Sequence, residues 1–146
     1  YAAQMSGMPA LADDSGLEVD ALGGAPGIYS ARYAGSSLKG PSKDAANSAQ
    51  LIADLAHTPL AKRTARFQCV LVYMRHAKDP TPLICQASWE GMIMENGQGE
   101  HGFGYDPIFQ VLEKDRRAAQ LTPTEKIAIS HRGKALAKLK RALAET

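Results

Sequence analysis

The run RFQCVLVYM, Arg66 to Met74, is apolar on nearly both of its alternating faces. A strand of that composition must be covered on both sides, which places it in the middle of a sheet and not at an edge. Leu83 to Ile93 is the segment best suited to pair with it, and the connection Arg75 to Pro82, with its prolines and charges, reads as a solvated hairpin loop. The rest of the chain has to be arranged around that antiparallel hairpin.

The elements around it alternate in type. Ala10 to Ala12 and Leu17 to Leu22 read as short extended pieces flanking an acidic turn, and the glycine run Gly23 to Gly27 ends the second. After a loop over Gly35 to Pro41, Ser42 is placed to cap a helix running to about Ala56, with Ala45, Ala49, Ile52 and Ala56 on one face. Gly97 to Pro107 is glycine-rich and irregular, and Ile108 to Leu112 is short and apolar. Thr122, Pro123 and Glu125 match a capping box with proline at the first helical position. From Ser130 onward Leu136, Leu139 and Leu143 form an apolar stripe, with Lys134, Lys138, Lys140 and Arg141 on a solvated surface. The expected fold class is α/β, a mixed domain with an antiparallel hairpin at its centre.

With 146 residues, 45% hydrophobic and 22% charged, the chain has the composition of a single folded domain over residues 1–146. Its formal charge of +2, with basic residues dispersed except near the C-terminus, argues against a nucleic-acid partner and leaves free nucleotides open. Cys69 and Cys85 sit in separate apolar runs without a metal-binding spacing, so they read as buried reduced thiols of a cytoplasmic protein. No window approaches a membrane span, and no signal segment is recognisable.

Three stretches carry candidate chemistry. Asp13 and Asp14 precede Ser15 and Gly16, whose hydroxyl and backbone N–H groups can come close to an anion. Adjacent acids in a turn are ordinarily solvated or capping, but beside anion donors they suit Mg2+ and phosphate. Because adjacent side chains diverge, one acid would be ligand or base and the other structural. The following glycine run is either a plain tight turn or a device carrying Ser30 and Arg32 into a cleft.

In the second stretch, His101 to Pro107, Phe103 between glycines is either a core anchor or a ring free to lie against a planar base, with Asp106 at hand as an acceptor. In the third, Ser130 to Gly133, the serine caps a helix, and His131 and Arg132 are either exposed or, with Lys126, donors for a phosphate or a purine carbonyl. Neither G-x-G-x-x-G nor a Walker A pattern occurs. His57 and His76 suggest no role.

Taken in order, ADDSGLEVDALGGAPGIYSARYAG, GFGYDPIF and LTPTEKIAISHRGKAL closely resemble the inosine/xanthosine triphosphate pyrophosphatase family, along essentially the whole chain. The resemblance implies an elongated mixed β-sheet flanked by helices, two lobes with the nucleotide in the cleft between them, a homodimer, and Mg2+-dependent hydrolysis of ITP, dITP and XTP to monophosphate and pyrophosphate. Carried over position by position, it makes Asp14 the metal-associated proton acceptor and gives Ser15 a substrate contact. It assigns the base to Phe103, Gly104, Tyr105 and Asp106, with Phe103 as the stacking ring, and the remaining substrate contacts to Lys126, His131 and Arg132. Donors from His131 and Arg132 would pair with the C6 carbonyl of hypoxanthine or xanthine and oppose the amino group of adenine, a mismatch worth on the order of ten-thousand-fold.

The family opens on a strand, a T/S-G-N-x-x-K phosphate loop and a helix with a metal-binding glutamate. The present sequence begins at Tyr1, inside what resembles the end of that helix, so the domain is expected to be N-terminally incomplete relative to the family. That departure keeps a non-catalytic nucleotide-binding or dimerisation module open beside the enzyme. A stacking Phe103 also leaves room for a pyrophosphatase of modified pyrimidine nucleotides.

Overall fold

β3, Thr64–Met74, and β4, Leu83–Ile93, form the expected antiparallel hairpin, with Phe67 opposite Trp89 and Cys69 opposite Ala87. The computed structural model describes residues 1–35 and 37–145. Around the hairpin lie β1, Ala10–Val19, β2, Pro26–Gly27, β5, Phe109–Val111, and β6, Arg116–Arg117, in a six-stranded sheet of order β2-β1-β3-β4-β5-β6. Each of these pairings is antiparallel, and β3 is central as its composition requires. The helices are α1, Ala2–Ser6, α2, Gly40–Asp54, α3, Pro123–Ile129, and α4, His131–Ala144, giving the expected α/β class. None of the described helices is long and apolar enough to cross a membrane.

The expected acidic turn is not a turn. Asp13 to Gly16 lie in the middle of β1, where Asp13 faces Leu71 and Asp14 faces Val70 across the ladder. Asp, Ser and Gly favour turns locally, but continuous pairing with the apolar β3 overrides that preference. Being strand neighbours, Asp13 and Asp14 project to opposite faces of the sheet.

One face carries the core. Phe67, Cys69 and Leu71 alternate with half-buried Gln68 and Val70, and β4 repeats the pattern with Cys85, Ala87 and Trp89 buried. Both cysteines are free and buried, as expected. α4 covers one end of this face with Ala135 and Leu139, and α2 contributes Leu51 to the main cluster, with Leu55 following it.

Two helix faces depart from expectation. α2 starts at Gly40 after Lys39, with Pro41 in its first turn, so Ser42 is not its cap. It also intrudes on the loop expected over Gly35 to Pro41, of which Ser36 lies outside the described residues. Its buried positions are Asn47 and Leu51, while Ala45, Ala49 and the following Ala56 are exposed; leucine gains far more than alanine from burial, so Leu51 and Leu55 set the rotation. In α4 the buried positions are His131, Ala135 and Leu139, leaving Leu136 and Leu143 partly exposed.

The rotation of α4 is fixed at its start. Thr122 and Glu125 make the expected capping box on α3, and Ser130 Oγ accepts Gly133 N–H at 3.1 Å to cap α4. The helices meet so closely that a Cβ on Gly133 would stand 1.7 Å from the Ile127 carbonyl oxygen. Lys134 and Lys138, expected to be solvated, reach across to the carbonyls of Ser88 and Gln86. The β3–β4 loop is likewise more ordered than expected, since the Asp79 carboxylate accepts from the Arg75 guanidinium and from the Arg75 and Thr81 amides.

Candidate active site

A cavity of about 180 Å3 opens between β1, α2, the 101–107 loop and the α3–α4 junction. Ser15 enters it from β1, Phe103 to Asp106 from the loop, and Lys126, His131 and Arg132 from the junction. Every expected site residue except Asp14 therefore lines one cavity. Whole small-molecule sites commonly measure roughly 300 to 1,000 Å3, so this one has room for a flat ring and not for a complete nucleotide.

The loop is tied down on its inner side. Asp106 is buried, accepts the Phe103 amide at 3.0 Å and forms an ion pair with Lys126. Gly102 has φ +79°, and a Cβ there would stand 2.0 Å from Asp106 Oδ2, so this turn needs glycine. Tyr105 is buried too, and its hydroxyl donates to the Ser30 carbonyl at 2.7 Å; desolvation pushes the phenol pKa up. Tyr105 and Asp106 thus anchor the loop, and the expectation of Asp106 as a free acceptor gives way to one already engaged by Phe103 and Lys126. Phe103 keeps 65% of its surface exposed, with the Lys126 ammonium 4.9 Å and the Arg132 guanidinium 6.0 Å from the ring centre.

At the junction Arg132 is largely committed. Its Nε and Nη2 donate to the two oxygens of Asp13 at 2.7 and 3.0 Å, and Nη2 also reaches Ser15 Oγ at 3.3 Å. The hydrogen bond from Arg132 holds the Asp13 carboxyl below the ordinary aspartate range. Only Nη1 of Arg132 has no protein partner among the described residues, which narrows its expected role as a free donor to that one group.

His131 is 6% exposed and lies nearly parallel to the Phe67 ring, centroids 4.9 Å apart, with Trp89 beyond at 6.2 Å. Burial, reinforced by Arg132 and Lys126, pushes its pKa down to about 4, so the ring is neutral near pH 7. Its Nδ1 is buried and has no hydrogen-bond partner among the described residues.

Asp14 lies apart. It borders a depression on the opposite side of the sheet with Glu18, Gly27, Gln68 and Gln86, and this depression meets the cavity only at Ser15 and Gly16. Its carboxylate is exposed and makes no hydrogen bond or ion pair among the described residues, unlike that of Asp13. No group of three or more His, Cys, Asp or Glu able to hold a metal occurs among those residues. A single free carboxylate still fits Mg2+, which is commonly held by one or two carboxylates together with substrate phosphates and water.

Asp44 and Asn47, which enter the cavity from α2, escaped the sequence. Of the pair expected to follow the glycine run into a cleft, Ser30 reaches the wall, while Arg32 lies over the Tyr29 ring and stays out. Asn47 was hidden because a polar residue in a helix reads as surface, although here it is buried and bonded to the Ala34 amide and the Ser30 carbonyl.

The profile of the Ham1 family matches residues 1–142. The chain belongs to the Ham1 family. A dITP/XTP pyrophosphatase of Photobacterium profundum is 57% identical over 143 residues, 98% of this chain and 71% of the relative. A dITP/XTP pyrophosphatase of Shewanella oneidensis is 59% identical over 145 residues, 99% of this chain and 68% of the relative. Among solved Ham1 structures, a HAM1 protein from Coxiella burnetii superposes with a TM-score of 0.91 at 48% identity, covering 99% of this chain and 72% of its own. The Staphylococcus aureus Ham1 protein gives 0.87 at 41%, covering 99% and 71%. Ham1 membership is thus carried by nearly the entire chain, and the three resembling stretches of the sequence fall on β1 and the segment after it to Gly35, on the 101–107 loop with the start of β5, and on the α3–α4 junction of this Ham1 fold.

Proposed function

We propose that the protein hydrolyses non-standard purine nucleoside triphosphates, dITP, XTP and ITP, to the monophosphate and pyrophosphate, as the names of its Ham1 relatives indicate. The observation that carries this for the present chain is the meeting of Phe103, Lys126, His131 and Arg132 around one ring-sized cavity.

In this reading the base stacks on the exposed Phe103 ring. Arg132 Nη1 and neutral His131 meet the C6 carbonyl as donors, and the same donors oppose the amino group of adenine. The phosphates pass Ser15 and Gly16 toward the depression that holds Asp14. There the Asp14 carboxylate takes a proton from the water attacking the α-phosphorus, while the bond from that phosphorus to the bridging oxygen breaks and pyrophosphate departs. Mg2+ would be held by Asp14 and the phosphates, and it supplies charge neutralisation on the leaving group. The relatives' substrates are thereby divided between two sides of one sheet, the base on the α4 side and the reacting phosphorus on the other.

The separation of Asp14 from the cavity also favours a second reading, a nucleotide-binding module without turnover. Pyrophosphate release from dITP, XTP, ITP, GTP and ATP, with Mg2+ and with EDTA, separates the two. Mg2+-dependent release from dITP, XTP and ITP, far above ATP and lost in Asp14→Asn, is the result expected of the enzyme. Binding of dITP without release by the wild-type chain would establish the module.

A further inference from the structure

α2 does more than cover the core. Asn47 holds the 30–34 segment through the Ala34 amide at 2.8 Å and the Ser30 carbonyl at 3.4 Å, and that carbonyl also receives the Tyr105 hydroxyl. One turn earlier, Asp44 Oδ2 accepts the Gly104 amide at 2.9 Å, across 60 positions of sequence. Gly104 lies directly between Phe103 and Tyr105.

The tie matters because packing does not replace it. Nothing stands within 4 Å of the Cβ position of Gly104, and Phe103 is mostly exposed. Two backbone hydrogen bonds lie next to the Phe103 ring. The bond from the Phe103 amide to Asp106 is internal to the loop and shapes the turn. The bond from Gly104 to Asp44 joins the turn to the opposite wall of the cavity, as the Tyr105 hydroxyl on the Ser30 carbonyl does one residue further on, and it is the one adjacent to Phe103; a carboxylate acceptor makes it stronger than a neutral one.

We infer that Asp44 is a positioning residue for the base platform: it latches the Phe103-bearing loop to α2 and so sets how well the ring is preorganised for the nucleotide. The inference rests on the reading that Phe103 stacks on the base. Asp44 acts through the Gly104 amide and not by taking part in the proton transfer at Asp14.

The test compares wild type, Asp44→Ala and Asp44→Asn in two measurements. Amide exchange at Gly104 should accelerate at least about tenfold in Asp44→Ala with the melting temperature nearly unchanged, and return toward wild type in Asp44→Asn, which keeps an acceptor oxygen. The KM for dITP should rise about tenfold in Asp44→Ala with a smaller change in kcat, and recover in Asp44→Asn. Unchanged exchange at Gly104 overturns the latch. Altered exchange with KM unmoved, or a melting-temperature loss that Asp44→Asn fails to repair, overturns its role in positioning. If wild type neither binds nor hydrolyses dITP, the functional reading fails on that measurement alone, while exchange at Gly104 still decides whether the latch exists.

Discussion

Arg132 and Asp13 grip each other through paired hydrogen bonds of 2.7 and 3.0 Å, joining the first turn of α4 to the middle of β1. Each side chain is about one-third exposed, so the pair is worth little to stability once solvent screening is counted. Its effect is geometric: it turns the guanidinium so that Nη1 alone remains for a ligand.

Neutralising the two adjacent acids should therefore have different kinetic consequences. Asp13→Asn keeps one acceptor for Arg132 and loosens its aim, so KM for dITP should rise about fivefold, equivalent to roughly 1 kcal/mol, with kcat little affected. Asp14→Asn should leave KM close to wild type and remove nearly all turnover. Steady-state kinetics of both variants side by side checks the assignment, and matching defects would contradict it.

Truncating the platform should weaken binding without weakening the fold. Phe103→Ala removes an exposed ring, so the melting temperature should hold within about 2 °C, since surface changes commonly stay within ±0.5 kcal/mol. Base stacking on an aromatic ring is worth about 1 to 3 kcal/mol, so the dITP dissociation constant should rise about five- to 150-fold, measured by titration calorimetry.

His131 predicts a pH dependence of stability. Its folded pKa is about 4 against an ordinary 6.5, so the unfolded chain binds the additional proton. The stabilisation is complete above about pH 6.5, declines as pH falls through this window and is lost near pH 4, for a total of about 3 kcal/mol. Denaturation at a series of pH values should show that slope in wild type and a flatter profile over the same window in His131→Gln.

The junction between α3 and α4 should tolerate almost nothing larger than hydrogen at position 133. With a Cβ only 1.7 Å from the Ile127 carbonyl oxygen, Gly133→Ala must separate the two helices, at a cost of about 1 to 3 kcal/mol. Urea denaturation gives the loss in stability, and a rise in KM should accompany it, because Lys126 and Arg132 stand on either side of the junction.

The parts of this molecule that were legible in the sequence are those where local chemistry and tertiary surroundings agree. β4 has the bounds expected of it, and the capping box at Thr122 starts α3 where proline at the first position allows. β1 was misread across Asp13 to Gly16 because its composition is that of a turn and its extension comes from pairing with β3. The rotations of α2 and α4 were hidden for a related reason: a stripe of apolar residues says which face can be buried, whereas the position of the neighbouring sheet decides which one is. For the site, the residues themselves raised Phe103, Lys126, His131 and Arg132 as one of two readings and the resemblance chose between them; the four meet in one cavity. Asp44 left no local signal, since its partner is a backbone amide, a group every residue but proline possesses.

The alternation of Asp13 and Asp14 along β1 also limits how this segment can evolve. Insertion or deletion of one residue between Ala10 and Leu17 would invert the parity of part of the strand, turning a carboxylate from one side of the sheet to the other and bringing inward-facing Leu17 to the surface or the acids to the core. A substitution leaves this parity intact whatever it does to the chemistry, whereas a change of length by one residue does not. The spacing of D-D-S-G is therefore a requirement of its own, separate from the identity of its residues.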